Sequence, residues 1–96
     1  MGIEEVVKAR RDEILRLAAK HGARNVRVFG SVAKGEAGPE SDVDLLVEVG
    51  PDRTPFFPGG FVADLEDLLG RRVDVVTEGG LHWYVRDRIL KEATPL

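Results

Sequence analysis

Apolar residues along the chain follow two rhythms. Ile3, Val6, Val7, Ile14, Leu17 and Ala18 recur at the spacing of a helix face, which predicts a first helix over residues 3–21. Gly22 supplies its left-handed stop. Asn25-Val26-Arg27-Val28-Phe29 then reads as a short strand ended by Gly30-Ser31. Val43, Leu45, Val47 and Val49 alternate with Asp42, Asp44, Leu46 and Glu48, the period-two pattern of a second strand with unlike faces. Residues 50–60 hold three prolines and three glycines and read as a loop. Phe61, Val62, Leu65, Leu68 and Leu69 mark a second helix stopped near Gly70, and Arg72 to Thr77 form a third strand. Leu81, Val85, Ile89 and Ala93 suggest a final helix before Pro95.

This order is an α/β layout: a small mixed β-sheet flanked by helices. Only about a dozen residues, rich in Gly and Pro, join the first two strands; a parallel crossover needs a dozen or more and normally includes a helix, so an antiparallel arrangement is preferred if the two pair. The longer connection from the second strand to the third contains a helix and permits a parallel crossover. Gly30-Ser31, the Asp42/Asp44 pair and Asp74 would then meet at one end of the sheet.

A chain of 96 residues suits one domain, 1–96, with one modest core. No apolar run approaches the roughly 20 residues of a membrane span, and the N-terminus is charged rather than signal-like, so a cytoplasmic location with no membrane partner is expected. The net charge of −3 argues against a protein that coats nucleic acid. Cysteine is absent and His21 and His82 are the only histidines, which leaves oxygen ligands and a hard cation for any metal site.

Asp42 and Asp44 stand two residues apart on one strand face, with Cα atoms roughly 6.5–7 Å apart. Asp74 on an adjacent strand could join them. Three carboxylates so close repel one another, and a divalent cation removes the conflict; Mg²⁺ is commonly shared between a few carboxylates and substrate phosphates. A plainer alternative has the aspartates facing solvent, paired with Arg27, Arg71 or Arg72. Gly30-Ser31, with Gly35 close behind, could hold phosphate oxygens through free N–H groups and a hydroxyl. An ordinary strand-ending turn is the competing reading.

In combination, Gly30-Ser31-(x)10-Asp42-x-Asp44 with a later strand aspartate, Asp74, resembles the nucleotidyltransferase superfamily that includes DNA polymerase beta. The fuller string Gly-Ser-x-Ala-Lys-Gly-(x)5-Ser-Asp-x-Asp-Leu-Leu-Val looks like its minimal nucleotidyltransferase branch, many of whose members are antitoxins to a HEPN-domain ribonuclease. The resemblance implies a polymerase beta palm-like fold in which Asp42 and Asp44 bind two Mg²⁺ ions. Asp74 would complete the metal site and help activate the attacking hydroxyl. Gly30 and Ser31, with Lys34 and Ser41, would hold the nucleotide. The branch often has Arg where this chain has Lys34, which keeps the charge but loses a bidentate grip on phosphate.

The implied reaction moves AMP from ATP to a tyrosine hydroxyl of the partner toxin, with which the chain would form a hetero-oligomer. No segment is left over to build a separate wall around the nucleotide, and a protein partner would supply one. Two other readings remain: a binding module with a vestigial site, and a small-molecule nucleotidyltransferase. Trp83, Tyr84 and the Phe56-Phe57 pair could form an interface or belong to the core, and His82 is expected at a helix start.

Overall fold

The computed structural model describes residues 3–30 and 42–96. Helices α1 (Ile3–Ala9) and α2 (Arg11–Lys20) precede strand β1 (Ala23–Phe29). Strand β2 (Val43–Val49), helix α3 (Gly59–Leu69) and strand β3 (Val73–Thr77) follow. After a 3₁₀ turn at Glu78–Gly80 come α4 (Trp83–Glu92) and a two-residue strand β4 (Thr94–Pro95). The sheet order is β3-β2-β1-β4. β1 pairs antiparallel with β2, the arrangement preferred for so short a connection, and β2 parallel with β3, which the longer connection permits. None of the described helices is long and apolar enough to cross a membrane.

One face of the sheet carries the core. Val43, Leu45 and Val47 of β2 are fully shielded, as are Ile14 of α2 and Phe61 and Leu65 of α3. These side chains join Val26, Val28 and Val73 in one apolar cluster, so α2 and α3 lie over the same sheet face. Burial of each aliphatic side chain contributes roughly 1.5–3 kcal/mol. The helical and strand periods read from the sequence therefore converge on a single packed layer.

Four details differ from expectation. The first helix is kinked at Arg10 rather than continuous, although Arg10 N–H still donates to the Val6 carbonyl at 3.1 Å and Ile14 N–H to the Arg10 carbonyl at 2.9 Å. β1 starts two residues early, at Ala23, and carries a bulge between Arg24 and Arg27, with Asn25 at φ +50°. The bulge lets Ala23, Val26 and Val28 all reach the core despite their uneven spacing. α4 begins at Trp83 rather than Leu81. Finally, the closing residues are not a simple tail: β4 pairs with Arg27 and Val28, and Leu96 N–H donates to the Val26 carbonyl.

The end of the sheet where β1 starts is fastened by His21. Its Nε2–H donates to Asp64 of α3 at 2.8 Å, and its Nδ1 meets the Thr54 hydroxyl at 2.9 Å. The ring also lies 5.6 Å from Phe61. Gly22 takes the expected left-handed conformation, φ +78°, and a Cβ there would stand 2.5 Å from the Arg53 backbone. Glycine is required because the loop after β2 passes directly against it.

Candidate active site

Strand register assembles the site. Antiparallel pairing sets Phe29 of β1 opposite Asp44 of β2, which brings the next residue, Gly30, alongside Asp44. Parallel pairing sets Asp74 of β3 directly beside Asp44 on its other flank. Registered neighbours point to the same sheet face, and so do residues two apart on a strand. Asp42, Asp44 and Asp74 accordingly share the face turned away from Val43, Leu45 and Val47. Asp44 is half-buried, while Asp42 and Asp74 are exposed.

The electrostatics follow from that crowding. Burial pushes the Asp44 carboxyl above its ordinary range, and the charges of Asp74 and Asp42 push it further the same way. Gly30 makes the arrangement possible. Its φ is +72°, and a Cβ at this position would lie 2.5 Å from Asp44 Oδ2, well inside contact distance. The missing side chain thus clears the place that the Asp44 carboxylate occupies. The sequence motif points to Gly30 as a phosphate-holding residue; its clearance of Asp44 is visible only in three dimensions. Ser31, Lys34 and Ser41 lie outside the described residues.

Further along the same face, charged side chains pair within the chain, although the buried Arg27 Nη2 finds no partner among the described residues. Arg27 sits opposite Leu46 and is nine-tenths buried. Its Nη1 donates to Glu78 at 2.8 Å and its Nε to the Asn25 carbonyl at 3.0 Å. The Arg27 guanidinium holds the Glu78 carboxyl below the usual range. Arg27 is therefore committed to Glu78 rather than to the aspartates, which removes it from the plain surface-pairing alternative. Glu48 points to this face too but pairs with Arg24 and Asn25.

The side chains of Asp42, Asp44 and Asp74 are all carboxylates, oxygen donors of the kind a hard cation prefers. Among the described residues, no group of three or more His, Asp or Glu side chains is gathered closely enough to hold a metal ion by itself. What stands at the strand ends is an open row of carboxylates, one of them pressed against a glycine backbone. That fits an ion completing its shell with water and phosphate oxygens. His21 is occupied at the opposite end, and His82 is exposed with its ring 4.3 Å from Tyr84.

The aromatic residues divide. Phe57 stacks on Phe61 at 6.1 Å and packs against the core. Phe56, Trp83 and Tyr84 are exposed. Phe56 follows the C-terminal end of β2, and Trp83 and Tyr84 follow that of β3.

Comparison with known proteins agrees with this architecture. The nucleotidyltransferase domain family matches residues 10–96. The protein adenylyltransferase MntA of Thermococcus cleftensis is 37% identical over 94% of this chain and 88% of its own length. A solved structure provisionally assigned as a minimal nucleotidyltransferase superposes with a TM-score of 0.87 at 50% identity, covering 100% of this chain and 97% of that one. A toxin-antitoxin crystal structure with AMP-PNP shares the fold, with a TM-score of 0.75 at 17% identity over 88% of this chain and 69% of that one. The chain belongs to the nucleotidyltransferase family, in company with protein adenylyltransferases.

Proposed function

We propose that this chain is a Mg²⁺-dependent protein adenylyltransferase that moves AMP from ATP to a tyrosine hydroxyl of a HEPN-type toxin. In this reading it is the antitoxin of a cytoplasmic pair and forms a hetero-oligomer with its target. The observation that carries the reading is the register that sets Asp74 beside Asp44, with Gly30 on the other flank. It gains support from the relative named as a protein adenylyltransferase and from the fold neighbour described with AMP-PNP.

In the proposed reaction the acceptor oxygen attacks the α-phosphorus of ATP. The bond from that phosphorus to the bridging oxygen of pyrophosphate breaks, and pyrophosphate leaves with the electron pair. Asp74, on the edge strand, accepts the hydroxyl proton and passes it to water. Asp42 and Asp44, with Asp74, would hold two Mg²⁺ ions, whose chemistry is to neutralise charge on the attacking and leaving oxygens. Gly30 and Ser31, with Lys34 and Ser41, would hold the triphosphate.

The test is incubation with ATP, Mg²⁺ and the product of the neighbouring gene, followed by intact-mass analysis. One or more added AMP units on the partner are expected, and none with Asp44→Asn. The exposed Phe56, Trp83 and Tyr84 favour one second reading, neutralisation by contact alone. An unmodified partner whose toxicity is still suppressed would select it.

A further inference from the structure

β3 is an edge strand, and the direction of its backbone groups is fixed by hydrogen bonds at its start. Val43 N–H of β2 donates to the Arg72 carbonyl at 3.0 Å, so the Arg72 main chain faces β2. Val73 N–H turns the other way and donates to Glu66 of α3 at 3.2 Å. Alternation along a strand then turns Asp74 and Val76 toward β2, and Val75 and Thr77 outward. Among the described residues, nothing in the chain bonds the outward N–H and C=O of Val75. The open edge begins beside Asp74 and runs away from the site.

We propose that this edge receives the acceptor segment of the partner protein as an added antiparallel strand, and that this positions the acceptor hydroxyl at Asp74. The inference rests on the adenylyltransferase reading above and names how its substrate is held. Because the Asp74 backbone faces β2, a residue set opposite it occupies a non-hydrogen-bonded pair. Such pairs bring Cα atoms to about 4.5 Å and side chains closest together. The opposed side chain projects on the same face as Asp74 and Asp44, and long aromatic side chains also reach diagonally to the second neighbour.

The size of the edge identifies its occupant. Five residues span roughly 16 Å and offer far less than the roughly 800 Å² per partner of a standard stable interface. A second copy of the chain would be poorly held by this edge alone. A short extended segment that must be released after modification suits it, since its main chain supplies affinity and one side chain supplies the chemistry.

The experiment uses the intact partner and a short synthetic peptide spanning the residue that mass analysis shows to be modified. Backbone N-methylation of the residue preceding the acceptor, which the antiparallel register sets opposite Val75 with its N–H toward β3, should reduce transfer by about tenfold or more. Methylation at the acceptor itself or its second neighbours should leave transfer within about twofold. Val75→Pro keeps the ladder to β2, because the Val75 N–H points outward, and should reduce transfer to the intact partner by about tenfold with ATP binding unchanged. Equal effects at all peptide positions, full transfer by Val75→Pro, or a peptide left unmodified while the intact partner is modified would overturn the proposal. An intact partner that gains no AMP from the unaltered protein refutes the adenylyltransferase reading itself, a distinguishable result.

Discussion

At the scale of single residues, the site turns on one absent methyl group. Gly30→Ala would force a Cβ against Asp44 Oδ2 in a left-handed backbone, with an expected cost of about 1 kcal/mol or more. Denaturant unfolding should show that cost reduced when Asp44→Ala is combined with it, because the displaced carboxylate is then gone. Asp44→Asn should lower nucleotide transfer by about a hundredfold or more while raising metal-free stability at neutral pH. The sign follows from the direction of the shift. A carboxyl whose folded pKa is raised penalises the folded state progressively as the pH rises from the unfolded value to the folded one, fully above the latter and not at all below the former. Thermal midpoints measured in chelator should therefore differ at pH 7 and converge toward about pH 4. The sequence exposed the three aspartates because alternation alone puts Asp42 and Asp44 on one face. It did not expose the contact between Gly30 and Asp44, which depends on register across two strands.

Among elements, the legible ones were those with a sustained period. Val43 to Val49 alternates over its whole length, and Phe61 to Leu69 keeps a helical stripe, so both were placed within two residues of the observed bounds. β4 has no period to read, since Thr94 and Pro95 become a strand only by pairing with Arg27 and Val28. The kink at Arg10 carries no Gly or Pro signal, and the Asn25 bulge hides inside an ordinary strand sequence. The partnership of Arg27 with Glu78 spans 51 positions and had no local mark. Its asymmetry gives a prediction: Glu78→Gln, which strands a buried guanidinium, should lower the thermal midpoint more than Arg27→Leu, which removes it. The His21 link behaves oppositely to Asp44 with pH. Its hydrogen bond, together with the charge of Lys20, holds the Asp64 carboxyl below its ordinary value. The stabilisation is present above the unfolded carboxyl pKa and lost as pH falls through the folded one. Asp64→Asn should accordingly lower the midpoint at neutral pH, with the gap closing in acid.

Across the whole molecule, the two ends of the sheet have different tasks. One end gathers the carboxylates; the other is fastened by His21, Gly22 and the loop after β2. α4 contributes no buried residue and is held through β4 and the Leu96 contacts to Val26 and Arg11. Deleting Thr94–Leu96 should therefore abolish hydrogen-exchange protection in α4 while β1, β2 and β3 keep theirs. The open side of β3 has one more consequence, for handling the protein in solution. Val-Asp-Val-Val-Thr is a short β-prone run, and Asp74 is its only charge. An exposed hydrophobic edge of this kind invites chains to stack on one another, and a charge within it is the usual deterrent. The carboxylate proposed to serve chemistry would thus also act as a gatekeeper against aggregation. Neutral substitutions at Asp74 remove both functions together, so Asp74→Lys, which keeps a deterrent charge, is the cleaner inactive variant for concentrated samples.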